Sequence, residues 1–513
     1  MRPRPRVAAA RFKRNTAHPP VISLLLVFAL ALVADLPKFI HPVDVLLGTY
    51  DDDFYYYLKV AQTLAQRHVS SFNGFMLTNG YHPLWLLLLA LFWKITSSVR
   101  VIFLLLTVTV AISTAATFLF AQRLTLRLEV EPDHALLVGF AAAFLQHQVS
   151  YRGMETILAV PLALAFLEFV AGHPPDESKR AAFLFGLLGA FVVLARLDLG
   201  LLVALLGLML LPQLVIRLRF IWALLGAFPL ILYFALNHHF FGLWLPVSGL
   251  AKELKPLDWH WPKLILIPIV KYFMIATTVA LLPAALMLWR RPVVGRGTVR
   301  VALAALAFPA LFWTILCLVS DWPLWNWYAY PFVIALPAAS LIATPLTNSA
   351  FVARGIMIIS LSIMALLVGV LADGFYHLKG IQPMPRFALQ ISDFAKTHPG
   401  RYAMGDRAGI VGFLLPQPML QLEGLMGDKT FLDRIRAREG LLELMRDYNV
   451  AYYIARDPKP DGACWLITEP FQAGVNSAHM NARLCAQPLL TFAEPDDPDH
   501  VVQYVFRVDG TKS

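Results

Sequence analysis

"PLWLLLLALFWKI", Pro83 to Ile95, is apolar enough to enter a membrane and too short to cross one. At 1.5 Å per residue it reaches about 20 Å, against a hydrocarbon core of about 30 Å. Whether it crosses decides which side every later segment faces. Apolar runs of spanning length, about 17–25 residues, occupy 21–40, 99–122, 135–150, 155–172, 180–196, 198–216, 219–237, 264–289, 299–320, 328–346 and 354–373. If 83–95 does not cross, Arg123 and Arg127, Lys179 and Arg180, Arg217 and Arg219, the segment "RRPVVGRGTVR" (290–300) and Arg354 all share the side of the N-terminus. If it crosses, they all flip outward, against the positive-inside tendency. We therefore read 83–95 as re-entrant or interface-lying and expect about eleven crossings.

Composition agrees. The chain has 513 residues, of which 58% are hydrophobic and 15% charged, and its mean hydropathy is +0.62. A soluble domain carries about a quarter charged residues, so a polytopic membrane protein is expected. The net charge of +10 gathers between apolar runs, which fits membrane orientation better than nucleic-acid binding. "MRPRPRVAAARFKRN" precedes an apolar run from Val21 to Phe39. That run is longer than the 7–15 residues of a cleavable signal, so it reads as an uncleaved first helix after a cytoplasmic N-terminus, 1–20. The membrane bundle then occupies 21–373, with a first outer loop at 41–98.

The same parity places 41–82, 146–155, the turn at Arg196 to Asp198, 238–262, 320–327 and the C-terminal region 374–513 outside together. That last region has the β-like runs "NVAYYIAR" and "HVVQYVFRV" and the helical stretch "FLDRIRAREGLLELMRDY", which predicts a small α+β domain. Cys464 and Cys485 lie in it and could pair if it is extracytoplasmic. Cys317 falls in an apolar run and reads as packing. No internal repeat or low-complexity tract is visible.

The first outer loop holds "YDDDFYYYLKVAQTLAQRH". Phe54, Tyr57, Leu58, Ala61, Leu64 and Ala65 recur at helical spacing, so an amphipathic helix over 54–67, lying on the membrane surface, is expected. The aspartates Asp51, Asp52 and Asp53 could serve as its N-cap and first turn, or as catalytic carboxylates at the water–lipid boundary. The loop closes with "FNGFMLTNGYHPLW" (72–85).

"DDFYYYLKVAQ…FNG…TNGYHPLW" resembles the first periplasmic loop of bacterial GT-C glycosyltransferases. These enzymes transfer a sugar from a polyprenyl-phosphate donor, and include relatives of protein O-mannosyltransferases, lipid A aminoarabinose transferases and mycobacterial arabinofuranosyltransferases. Matching back from "YYLKVA" puts the family's acidic pair on Asp52 and Asp53, with Asp52 as the base, although the third aspartate leaves the register open by one. "SYRGMETIL" (150–158) resembles the family's "SGMET" turn, with Arg152 before the glycine and Glu155 at its end. "LARLDLGLLV" (194–203) resembles its "RPDG" turn through Arg196 and Asp198, with Leu197 and Leu199 replacing the proline and glycine. "NHHFFGLWLPVSGLAK" (237–252), carrying His238 and Lys252, resembles its "FG…LPNS…AK" segment. "WNWYAYP" (325–331), with Tyr328, resembles a late "WYxxP" turn, and "GDRAGIVGFLLPQPMLQLEGL" (405–425) a segment of the soluble tail.

The resemblance implies an α-helical polytopic GT-C fold, a multi-pass protein of the bacterial inner membrane with its active site in the periplasm, and a glycan, lipid or protein acceptor. Sugar transfer needs a carboxylate to take the acceptor's proton, and cations aimed at the departing phosphate. Asp52 and Asp53 fit the first need; Lys252 with His82, Arg152 or Arg196 fits the second. An inverting displacement would set these groups on opposite faces of the sugar. Asp52 and Asp53, with Asp51, could also hold a divalent cation, Mg or Mn, through carboxylate oxygens.

Each residue has a plainer role open to it. Arg196 and Asp198 could be an ion pair in a tight hairpin, and Glu155 the cap of the following helix. His82 and His238 could be interface residues, Trp325, Trp327 and Tyr328 an aromatic belt, and Lys252 a snorkelling lysine. The glycines of "MGDRAGIVGF" could serve turns. A transporter or flippase of lipid-linked or small solutes is the rival function, but it would want polar groups near mid-bilayer and often paired repeats.

Overall fold

Pro83 starts a helix because its fixed φ suits the first turn and its missing N–H would have had no partner there. The helix runs Pro83–Ile95, the span expected from the sequence, and stops within 13 residues. Trp85, Leu89 and Phe92 are buried in the protein, while Leu87, Leu91 and Ile95 form an exposed apolar stripe four residues apart. A helix of this length, apolar on its outer face, suits partial insertion better than crossing.

The computed structural model describes residues 21–259, 296–342, 369–378, 380–493 and 502–508. Among these, four helices are long and apolar enough to span a membrane: Val21–Ile40, Val99–Arg127, Leu197–Ile216 and Gly297–Val319. Phe220–Gly226 and Phe228–Phe241 make a fifth if taken together, though bent by 56° at their junction. Pro132–Ser150, Thr156–Gly172, Lys179–Ala195 and Tyr330–Ala339 are the helical forms of four further apolar runs. The expected spans at 264–289 and over most of 354–373 lie outside the described residues, so a count of eleven is not established. The protein is nonetheless a multi-pass membrane protein. Val99–Arg127 is its central strut, packing on Val21–Asp35, Pro132–Ser150 and Thr156–Gly172.

The expected α+β tail is present. A five-stranded sheet has the order β2-β1-β3-β8-β7, with β1 (Arg401–Met404) parallel to β2 (Met419–Gln421) and β3 (Val450–Arg456). β8 (Val502–Arg507) runs antiparallel to β3 and to β7 (Leu490–Ala493). A second sheet joins β4 (Lys459–Asp461), β5 (Cys464–Glu469) and β6 (Met480–Leu484), and a disulfide links Cys464 to Cys485 at its end. The helix expected over 431–448 is two, Lys429–Arg436 and Leu441–Asp447, because the backbone turns left-handed at Arg438 (φ 55°) between them.

The first-loop helix, Asp52–Arg67, is buried on more than the one face that its periodicity predicts. Phe54, Leu58 and Ala61 pack inward as expected, but Tyr55, Tyr56 and Val60 on the other flank are buried too. Trp93 of the short helix donates from Nε1 to the Leu58 carbonyl at 3.1 Å on one side. On the other side, Ala408–Leu414 of the tail domain packs against it. A single hydrophobic core therefore joins the loop to the tail domain, running from Phe54 and Trp85 to Phe387, Ile410 and Val411.

Candidate active site

The three aspartates go to three different partners. The Asp51 N–H donates to the Arg152 carbonyl at 3.2 Å, and its Oδ1 lies 3.3 Å from Arg152 Nη1. Asp52 Oδ2 accepts from the Gly409 N–H and Oδ1 from the Ile410 N–H, both at 2.9 Å. These amides belong to the first turn of Ala408–Leu414, whose start otherwise leaves donors without acceptors. Asp53 accepts no hydrogen bond among the described residues and lies within reach of the charge of Lys252, beyond ion-pair distance. Burial pushes Asp51 and Asp52 up to about 6, against the pull of Arg152 on the first and of the two amides on the second. Burial also raises Asp53; Lys252 opposes the rise and Glu155 adds to it.

Lys252 ends the helix Val247–Lys252 and donates to the Tyr328 hydroxyl at 3.3 Å, with its ammonium 5.8 Å from the Trp322 ring. Burial works against its charge, but Tyr328 and Asp53 outweigh it and hold the lysine above its usual range.

Nearby, Arg196 Nε sits 3.0 Å from both carboxylate oxygens of Asp198, and its Nη1 bonds Glu155. The guanidinium lies 4.5 Å over the Tyr330 ring and 5.2 Å over that of Tyr328. Glu155 does not cap the helix it precedes; its carboxylate turns to Arg196 instead. His82 Nδ1 accepts from the Leu197 N–H at 3.1 Å, leaving Nε2 3.7 Å from Glu155. Gly153, with φ +96°, makes this turn possible: a side chain there would meet the Phe54 ring at 2.6 Å.

Two cavities, each about 460 Å3, meet at these residues. The first lies toward the tail domain and is lined by Asp51, Asp52, Arg152, Trp325, Asp406, Arg407 and Glu423. The second lies toward the bundle, with apolar walls from Phe312, Ile315, Leu316 and Val319 and a polar end of His82, Glu155, Arg196 and Asp198. Asp53, Tyr56, Lys252, Trp322 and Trp327 belong to both.

The structure thus gathers Asp52, Asp53, His82, Arg152, Glu155, Arg196, Asp198, Lys252 and Tyr328 around one pair of cavities. His238 is not among them; it stacks on Trp244, 4.3 Å between ring centres, and lines neither cavity. Glu423, Asp406 and Trp322 were not singled out from the sequence. For Glu423 a signal existed, a lone carboxylate inside the apolar "PMLQLEGL". As a cation seat the aspartate pair fits poorly, since both oxygens of Asp52 are taken by amides. No group of three or more Asp, Glu, His or Cys is arranged to hold a metal among the described residues.

No protein-family model matches the sequence, and no curated protein matches it either. The fold has a counterpart: the crystal structure of ArnT from Cupriavidus metallidurans bound to undecaprenyl phosphate resembles it with a TM-score of 0.56. The match covers 94% of this chain and 97% of that one at 14% identity. This chain has the GT-C fold. Within that GT-C frame the tail domain and first loop are not separate modules, since Asp52 and the Gly409–Ile410 amides join them beside the cavities.

Proposed function

We propose that this chain is a membrane glycosyltransferase of the inner membrane that takes a sugar from a polyprenyl-phosphate donor and gives it to a cell-envelope acceptor in the periplasm. The observation that carries the proposal is that Asp53 and Lys252 together line the place where a largely apolar cavity meets a polar one. The fold's counterpart was solved with undecaprenyl phosphate, and the donor class is carried over from it.

On this proposal the apolar cavity seats the first isoprenoid units, with Lys252, His82 and Arg196 toward the phosphate. The base is Asp53 rather than Asp52, because both oxygens of Asp52 are engaged by amides. The acceptor hydroxyl oxygen bonds to the anomeric carbon while its proton passes to Asp53. The bond from that carbon to the phosphate oxygen breaks, and Lys252 stabilises the departing charge. Attack from the polar cavity and departure into the apolar one gives inversion. The Cys464–Cys485 bond supports a periplasmic tail, since such bonds persist in oxidising compartments. A transport role is not favoured: the charged groups at the cavities gather at helix ends and loops.

The test is turnover of lipid-linked sugars extracted from the native membranes by purified protein, with and without Asp53→Asn. A loss of about 100-fold or more is expected at normal yield. Wild-type turnover in the variant would remove Asp53 from the role, and no turnover by the parent protein would sink the transferase proposal.

A further inference from the structure

The polar cavity carries information about what enters it. Two of its three cations have carboxylates at ion-pair distance, Arg152 with Asp51 at 3.3 Å and Arg407 with Asp406 at 3.9 Å; the third, Lys252, is shared with the apolar cavity and belongs to the donor phosphate on the transferase proposal. Asp406 is further paired with Arg456. Asp52 and Glu423 line the same cavity with no cation of their own at ion-pair distance. An acceptor bearing a phosphate or carboxylate would have to break one of these pairs or compete with the donor phosphate for Lys252.

Glu423 is 3% exposed. Its Oε2 accepts from Gln421 Nε2 at 3.0 Å, and its Oε1 is buried without a hydrogen-bond partner. Buried polar atoms are nearly always satisfied, so an orphaned oxygen at a cavity wall marks a place where a ligand group completes the bonding. Burial, with Glu469 and Asp53 nearby, pushes this carboxyl well above its usual range. A protonated carboxyl both gives and accepts a hydrogen bond, the pairing a sugar hydroxyl offers. The opposite need, a flat apolar surface for the C–H face of a sugar ring, is met by half-buried Trp325, on which the buried Trp327 ring stacks 12° from parallel at 5.9 Å.

We infer that the acceptor is an uncharged glycan, held through a hydroxyl by Glu423 and through a ring face by the Trp325–Trp327 wall. This rests on the transferase proposal and narrows its acceptor. The same sugar chemistry could arrive on a soluble chain or as the head group of a neutral glycolipid.

The full chain in phosphatidylcholine nanodiscs tests it, by saturation-transfer NMR and tryptophan quenching. The probes are a neutral oligosaccharide, its phosphorylated counterpart, a neutral glycolipid of the same sugar and a Ser/Thr peptide. The oligosaccharide or the glycolipid should bind at least about tenfold more tightly than the phosphorylated probe, and which of the two does so identifies the source. Glu423→Ala should weaken that binding about tenfold, with Glu423→Gln, which keeps both a donor and an acceptor, within about threefold of the parent. Equal or tighter binding of the phosphorylated probe, binding of the peptide alone, binding of no probe, or unchanged affinity in Glu423→Ala overturns the inference. Undecaprenyl phosphate added to the same nanodiscs separates the two claims. If it binds while every glycan fails, only the acceptor inference falls; if glycans bind and it does not, the donor assignment falls.

Discussion

Both carboxylate oxygens of Asp52 accept from the amides of Gly409 and Ile410, while Asp53 beside it accepts no hydrogen bond among the described residues and lines both cavities with Lys252. The two substitutions should therefore fail differently. Asp52→Ala leaves two amides without their acceptor, at about 1–3 kcal/mol each, so its thermal midpoint should drop clearly. Asp53→Asn should unfold near the parent's midpoint and lose its chemistry. Equal midpoints with equal activity loss would make the distinction untenable. Acid stability offers a second check. Asp51 titrates near 3.8 when unfolded and about 6 when folded, so the folded chain binds more protons between those values. Its contribution is present in full below 3.8 and is lost as pH rises through 6. The midpoint advantage of the parent over Asp51→Asn should accordingly shrink from pH 4 to pH 7. Choosing among three adjacent aspartates was beyond the sequence: the deciding amides lie some 350 positions away, and no spacing rule fixes a register within "DDD".

At the scale of elements, apolar runs and punctuation carried most of the outline. Pro83–Ile95 has the expected bounds, and β3 and β8 fall within "NVAYYIAR" and "HVVQYVFRV". Periodicity placed the first-loop helix but not its second buried flank, because tyrosines are apolar enough to be buried and polar enough to be read as a wet face. The glycines of "MGDRAGIVGF" were likewise assigned to turns. Gly409 instead lies inside a helix at close approach: a side chain there would press on the Asp52 backbone and reach Asp52 Oδ2 at 2.8 Å. Gly409→Ala should therefore loosen the tail domain from the loop, costing about 1–3 kcal/mol. Limited proteolysis is the readout; an unchanged cleavage rate would mean the contact relaxes without cost.

On the scale of the molecule, charge parity around one short helix puts the first loop, the 150s turn, the Arg196 turn and the Lys252 segment on one side of the membrane, and the structure has all four lining the paired cavities. The tail domain's share in the cavity wall was not legible, because Asp406, Arg407 and Glu423 acquire meaning only when β1, β2 and the helix between them dock on the loop. Cysteines placed at the exposed positions Gln66 and Glu253 should react with a membrane-impermeant thiol reagent from one side only, the same for both. Reaction from opposite sides would contradict the shared compartment. Lys252→Ala should weaken undecaprenyl phosphate binding about tenfold or more in a direct titration, the magnitude of a lost charge-assisted bond. On the transferase proposal, Asp53 and Lys252, which line both cavities, would also act as an interlock. With no donor present, the field of the ammonium would hold down the basicity of the aspartate; an arriving phosphate would offset that charge and make the aspartate more basic. Turnover should then follow a compulsory order, lipid before sugar chain, which would spare the stored sugar from wandering water until its destination is in reach.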